Sequence, residues 1–441
     1  MVTGMARRAR LKALLAAFGI LAVAAVAVPR SAAPLPALAG NLTGLCMPGA
    51  PTFNLQAKTG RISTPDGGSV FMWGFARVST GKFQMPGPIL CVNQGDIVTV
   101  NVTNINIPEA VSIVFPGQVD VTDTMLAGSS ANTLNLFAEE ADIGETVSYS
   151  FAASEPGTYL YESGTNPHKQ VQMGLYGALI VRPTMGANFA YNNNATQFDP
   201  AREYLLLMHD MDPILHQAVE RNEPYDITTK HDRYWTINGR SFPDSIAGDN
   251  VAYLPSQPYG ALVRVKPSTG GSQPALIRMA NAGMSNHPFH PHGNHVRVIG
   301  QDGRMLPGAL AGMASEQFTQ TAGSGQTFDL LFKWTNAEGW CGTVSLAAGC
   351  PTVHPIPVTL PQLRNLVFKD KVTWYSGSPY LGYKGALPAG VTSYNRCGEY
   401  YLPWHSHALN EFQNFDEGFG GLATLLRVDP PWKTAAQCPG P

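Results

Sequence analysis

The sequence predicts an all-β protein of Greek-key sandwiches, and three observations lead there. The chain carries 45 glycines and 35 prolines that punctuate many short apolar runs, a pattern of strands and turns rather than of helices. Some of these runs alternate apolar and polar residues at period two, the mark of a strand with one buried face. The turns recur at the spacing of a Greek-key sandwich.

From the amino terminus, a basic stretch, Arg7-Arg8-Ala9-Arg10-Leu11-Lys12, precedes an apolar run from about Ala13 to Val28 that is short for a membrane span. Small residues at Ala37-Leu38-Ala39 offer a cleavage site, so residues 1–39 read as an export signal and the mature chain is expected to begin near Gly40. Arg7-Arg8 with Leu11-Lys12 resembles a twin-arginine signal, general secretion remains open, and an uncleaved anchor is the other reading. The expected location is the bacterial periplasm or the extracellular space, with no transmembrane span after cleavage. The six cysteines, Cys46, Cys91, Cys341, Cys350, Cys397 and Cys438, would there form disulfides, with at least one local bridge among Cys341, Cys350 and Cys397.

A length of 441 residues suits two or three domains. In a first series, Gly95–Asn104 reads as a half-buried strand, followed by Ser112–Phe115, Thr146–Phe151, Thr158–Tyr161 and Leu175–Val181. These define an expected domain at 40–185. The asparagines Asn192, Asn193 and Asn194 mark an expected linker at 186–201. The second series, at 202–433, comprises Tyr204–Met208, Tyr234–Ile237, Ala261–Val265, Ala275–Met279, His295–Ile299, Phe328–Phe332, Tyr400–Trp404 and Leu422–Val428. A stretch rich in Cys, Pro and Gly, at about 335–397, lacks periodicity and reads as an insertion.

Charge narrows the partners. Lys+Arg number 29 against Asp+Glu 31, and charged residues are 14% of the chain, so no block of charge invites nucleic acid or an anionic membrane. A small-molecule or metal-ion substrate is the expected partner, and an oligomer is left open.

The chemistry sits in two histidine clusters, His287-Pro288-Phe289-His290-Pro291-His292-Gly293 and His405-Ser406-His407. In an extended strand, side chains two apart share a face, so His290/His292 and His405/His407 are two ready pairs of imidazoles. Two such pairs on neighbouring strands would form a nitrogen site suited to copper and acceptable to zinc.

These motifs resemble those of the multicopper oxidases, whose cupredoxin domains carry four short histidine motifs. His287 through Gly293 matches the pattern His-Pro-x-His-x-His-Gly. The scaffold is similar too: Pro86-Gly87-Pro88, Gly95-Asp96, Gly174-Leu175-Tyr176-Gly177-Ala178-Leu179-Ile180-Val181 and Gly421-Leu422. The resemblance implies tandem cupredoxin-like domains and copper-dependent oxidoreductase chemistry. It also implies losses. Val114 and Pro116 stand where the family has His-x-His, and Glu162 and Gly164 where it has His-Ser-His. Ser406 replaces the thiolate of His-Cys-His, and Glu411 replaces a further histidine. Without a thiolate there is no blue-copper centre, and four of the eight cluster histidines cannot hold three coppers. The resemblance therefore leaves one ion, with His290, His292, His405 and His407 as ligands and His287 as a further candidate.

Glu162 is a candidate to bind the metal directly or to act as general base for metal-bound water, with a salt bridge or a solvated loop as the plainer reading; Glu411 reads as solvated at the surface. His168 is of interest only through its proximity in sequence to Glu162, His295 reads as structural, and nothing in the spacing of His209 and His216 demands a metal, with His231 and His354 weaker still. Three functions remain open: a copper oxidoreductase, a copper-binding or copper-handling protein without turnover, and a metal-free scaffold for protein interaction.

Overall fold

The computed structural model describes residues 45–126, 138–267, 272–306, 315–334, 365–367, 373–375, 400–418 and 420–429. The stretch read as an export signal, most of the 335–397 stretch, His354, Cys341, Cys350, Cys397 and Cys438 lie outside these residues.

The first half contains β1 (Thr52–Ser63), β2 (Ser69–Arg77), β3 (Leu90–Asn93), β4 (Ile97–Asn104), β5 (Thr122–Met125), β6 (Thr146–Ala152), β7 (Gly157–Glu162), the helix α1 (Pro167–Met173) and β8 (Tyr176–Arg182). Its two sheets have the orders β2-β1-β4-β6-β5 and β3-β8-β7. The alternation read in the sequence is the packing: Val98, Val100 and Val102 of β4 point into a core with Trp73, Phe75 and Leu179, while Ile97 is exposed. Each large side chain so buried contributes about 1.5–3 kcal/mol.

The second half contains β9 (Glu203–Met211), α2 (Pro213–Glu220), β10 (Tyr234–Ile237), β11 (Val263–Val265), β12 (Ala275–Asn281), β13 (His287–Pro291), β14 (Val296–Gln301), β15 (Arg304–Met305), β16 (Glu316–Gln317), β17 (Gln320–Ala322), β18 (Thr327–Phe332), β19 (Asn365–Val367), β20 (Thr373–Tyr375), β21 (Tyr400–Ser406), β22 (Gln413–Asn414), β23 (Glu417–Gly418) and β24 (Ala423–Val428). Its main sheets run β10-β9-β12-β18-β14-β15, with β16 beside β14, and β11-β24-β21-β13-β17. The first-half pattern recurs. The parallel pair β1/β4 has its counterpart in β9/β12, and the parallel pair β3/β8 in β11/β24. The fold is thus all-β, with tandem cupredoxin-like sandwiches.

Several local expectations differ from the structure. Ser112–Phe115 forms no strand; isolated bridges pair Val111 with Ala141 and Val114 with Glu162. The strands β1, β2, β3 and β5 escaped the sequence reading. The reason is plain in β2, Ser69–Arg77, where five successive residues, Met72–Ala76, are buried and little alternation is left. The short helices escaped as well. α2 starts at Pro213 after Asp212, whose carboxylate accepts the Ile214 N–H at 2.8 Å, a capping arrangement. The stretch read as a linker is packed: Tyr191 and Phe198 are buried with Leu276, Ile299 and Leu331. One disulfide, Cys46–Cys91, joins the start of the described chain to β3.

The halves meet through a third core, in which Met72, Leu160, Ala178 and Ile180 face Leu205, Leu207, Met211 and Ala280. β8 and β9 are buried on both faces for this reason. Beside this core lies a closed charge network. Glu203 accepts from Arg182 at 2.6 and 2.8 Å and from Arg278 at 2.6 Å, and Arg278 reaches Asp329 at 3.2 Å. Thr158 and Tyr191 each donate to Asp329 at 2.6 Å. Burial would raise the Glu203 carboxyl, but Arg278 and Arg182 outweigh it and hold it below the usual range.

Two arginines and two carboxylates balance, so removing one exposes the others to desolvation. Arg278→Leu is expected to lower the unfolding free energy by about 3–5 kcal/mol, read from urea denaturation, with partial recovery in Arg278→Leu/Asp329→Leu. A loss under about 1 kcal/mol, the value of an exposed pair, would show that this network does not hold the halves.

Candidate metal centre

β13 and β21 run antiparallel with His290 opposite His405, Phe289 opposite Ser406 and Pro291 opposite Trp404. Alternation then sorts the faces. Phe289 and Trp404 point inward to the second core, and Ser406 is buried, while His290 and His405 point the other way. The ladder extends at both ends: the His407 N–H donates to the Pro288 carbonyl at 2.7 Å, and the His292 N–H to the Pro403 carbonyl at 3.2 Å. Gly293 turns the chain away with φ +97°, and a Cβ there would meet Leu402 and Trp334 at 2.5 Å. Only glycine suits that position.

Four rings gather as a result. Ring centres lie 4.7 Å apart for His290/His292, 5.2 Å for His292/His405, 5.4 Å for His290/His407 and 6.0 Å for His405/His407. Two rings are oriented by carbonyls. His405 Nδ1–H donates to the Ser406 carbonyl at 2.7 Å, and His290 Nδ1–H to the Phe318 carbonyl, with Thr319 Oγ1 at 3.1 Å. In a neutral ring so anchored, Nε2 carries the free lone pair.

The Nε2 atoms of His292 and His405 lie 3.1 Å apart. Burial, reinforced by the neighbouring imidazoles, lowers the His292 pKa to about 4, and burial also lowers that of His405. Neutral nitrogens at this separation suit two ligands of one ion with metal–nitrogen distances near 2.0–2.1 Å. Among the described residues, no three His, Cys, Asp or Glu side chains already form a complete ligand array. The donors fit a copper ion in kind and proximity, and the rings must turn to share it.

His287, grouped with these ligands by its sequence motif, is not brought to them. It is on the opposite face of β13, buried, with Nδ1 at 2.9 Å from Glu411 Oε2 and Nε2 at 3.8 Å from Asp210 Oδ2. Glu411 is likewise buried rather than surface-solvated. Glu162 lies elsewhere, at the end of β7, and among the described residues no hydrogen bond, ion pair or ring contact joins it to a histidine. Burial raises its pKa. Its neighbours are those replaced in the first-half motifs: Val114 pairs with Glu162, and Val114 Cγ1 fills the space that a Cβ on Gly164 would need. His168, His231 and His295 are exposed. Phe318, Thr319 and Phe412, whose ring lies 4.9 Å from that of His405, were missed, because a carbonyl contact from a distant strand end has no sequence signal.

Comparison with known proteins agrees with the motifs. Residues 73–186 match the family model described as Multicopper oxidase. The L-ascorbate oxidase of Cucumis sativus is 31% identical over 140 residues, 32% of this chain and 21% of that protein. The match to the multicopper oxidase model covers residues 73–186, well under half of the chain. Copper-containing nitrite reductase of Neisseria gonorrhoeae is 27% identical over 192 residues, 42% of each chain. The chain spans only about a fifth of the ascorbate oxidases it matches. Among solved structures, the blue copper oxidase of Nitrosomonas europaea gives a TM-score of 0.55 at 19% identity, across 87% of this chain and 89% of that one. The multicopper oxidase mgLAC gives 0.55 at 18% identity, across 86% of each. At these identities the likeness is one of fold. No helix among the described residues is long and apolar enough to cross a membrane.

Two further histidines give a pH test. His209 and His216 are buried, with Nε2 of His209 at 3.0 Å from the Gln172 carbonyl and Nδ1 of His216 at 2.6 Å from that of Phe71. Burial lowers both pKa values to about 4. The unfolded chain takes up protons below about pH 6.5 and the folded one does not until about pH 4. Stability should therefore fall as pH drops from 6.5 to 4, by up to about 3 kcal/mol per histidine. Urea midpoints across that range should flatten in His209→Asn/His216→Asn; an unchanged slope would sink the assignment.

Proposed function

We propose that this chain is an exported oxidoreductase with a reduced copper centre, a single ion held by His290, His292, His405 and His407. The observation that carries the reading is the gathering of these four imidazoles on one face, with two Nε2 atoms 3.1 Å apart. Nitrogen ligands bind copper most tightly among divalent first-row ions, with zinc the competing occupant. Bound copper supplies one-electron redox chemistry. The chain supplies orientation: the Phe318 and Ser406 carbonyls select the tautomers that present Nε2, and Trp404 and Phe289 form the apolar floor. The domains are read as 40–185 and 202–433, with a small-molecule or metal-ion substrate.

A second reading, copper handling without turnover, is favoured by one observation. Among the described residues, no carboxylate, lysine or arginine is hydrogen-bonded or ion-paired to the four rings. Proton transfer there would fall to solvent or substrate.

Metal analysis with electron paramagnetic resonance decides. We expect one copper per chain and no intense thiolate absorption; three or four coppers with a strong thiolate band would refute the proposal. Copper at a hundredfold excess over Kd should stabilise the fold by about 2.7 kcal/mol, a rise in Tm that His290→Ala/His405→Ala abolishes. Assays of the copper-loaded protein on phenolic, metal-ion and nitrite substrates separate an oxidoreductase from a handling protein.

A further inference from the structure

We infer that the hydrogen-bonded pair Glu411–His287 is a clamp that positions the histidines of β21 and its following loop against β13. The inference rests on the reading of the four rings as one copper site. His287 precedes His290 by three residues on β13, and Glu411 follows His407 by four in the turn between β21 and β22. Their 2.9 Å contact, Nδ1–H to Oε2, therefore ties together the two segments that carry the rings, from behind the metal face.

Both partners are buried, His287 completely and Glu411 to 3% exposure. A carboxylate there is tolerated only if hydrogen-bonded. His287 is itself backed by Asp210 of β9, whose Oδ2 lies 3.8 Å from Nε2. Asp210 is anchored by the N–H groups of Met284 and Ser285, at 3.1 and 2.7 Å, and by Lys230 at 3.2 Å. The clamp thus has one end backed by β9 and the other in the loop after β21.

The loop transmits the position. The Glu411 N–H donates to the Ala408 carbonyl at 2.9 Å, and Ala408 N–H donates to Ser406 Oγ at 3.2 Å, so His407 sits between two tethered residues. The next residue, Phe412, lays its ring 4.9 Å from His405. The Leu422 N–H donates to the Glu411 carbonyl at 2.9 Å, and Gly421 packs so closely that a Cβ would approach that oxygen to 2.2 Å. By contrast, Leu409 is 69% exposed and offers no anchor. Releasing the Glu411 side chain would leave only backbone tethers, among them the His407 N–H to the Pro288 carbonyl at 2.7 Å, to hold this loop and the rings of His407 and Phe412 against β13.

The test compares Glu411→Ala, which removes the acceptor, with Glu411→Gln, whose amide oxygen still accepts from Nδ1–H. In the full-length protein, Glu411→Ala is expected to weaken copper binding at least about tenfold, the effect of losing a supporting contact to a ligand shell, and to shift the copper hyperfine splitting. Glu411→Gln should restore both. Wild-type affinity and splitting in Glu411→Ala, or equal loss in Glu411→Gln, would overturn the clamp. If the wild type takes up no copper, the copper reading fails on its own. The clamp is then judged by amide exchange at 405–412 in metal-free protein, where faster exchange in Glu411→Ala supports it and equal exchange overturns it. Should Glu411→Ala not fold, the His287 Nδ1–H resonance of the wild type decides: slow exchange with solvent supports the clamp, and rapid exchange overturns it.

Discussion

The pairing of His290 with His405 across β13 and β21 is the constraint on which the rest of this centre depends. Side chains alternate along a strand, so a slip of one residue would send both rings inward and bring Phe289 and Trp404 to the surface. The apolar face prevents that slip. Phe289 and Trp404 are locked in the second core, and Trp404 stacks edge-on against Phe332 with centres 5.0 Å apart. Packing on one side of the sheet thereby sets polar geometry on the other.

The same economy joins the two halves. Strands β8 and β9 each serve two cores, one within their own sandwich and one shared, so neither half presents a free apolar face at the junction. Charges buried nearby are matched in number and closely bonded. Arg182 also donates to the Cys46 carbonyl at 2.8 Å, which links the network to the disulfide-bonded start of the described chain.

Legibility in the sequence followed periodicity. Ile97–Asn104 was readable because one face is wet and the other buried, and its alternation survives in the burial pattern. Tyr176–Arg182 was readable as a long apolar run, although both faces are buried. β2 and the short β3 and β5 carry weak alternation, and α1 and α2 are too short for a helical period to stand out. The asparagine-rich stretch was misleading in a different way. Its polar residues mark turns, but Tyr191 and Phe198 between and beyond them are core residues.

By itself the sequence determined the all-β class, the repeated strand series and the four histidines at their two-residue spacings, because these are local patterns of side-chain type. The motif also grouped His287 with its neighbours and left Glu411 at the surface. Only the tertiary structure decided otherwise. The pleat turns His287 inward, and there it meets Glu411 and Asp210, partners separated from it by 124 and 77 residues of chain. Such contacts are set by which strands pair and which faces pack, and no local pattern encodes either.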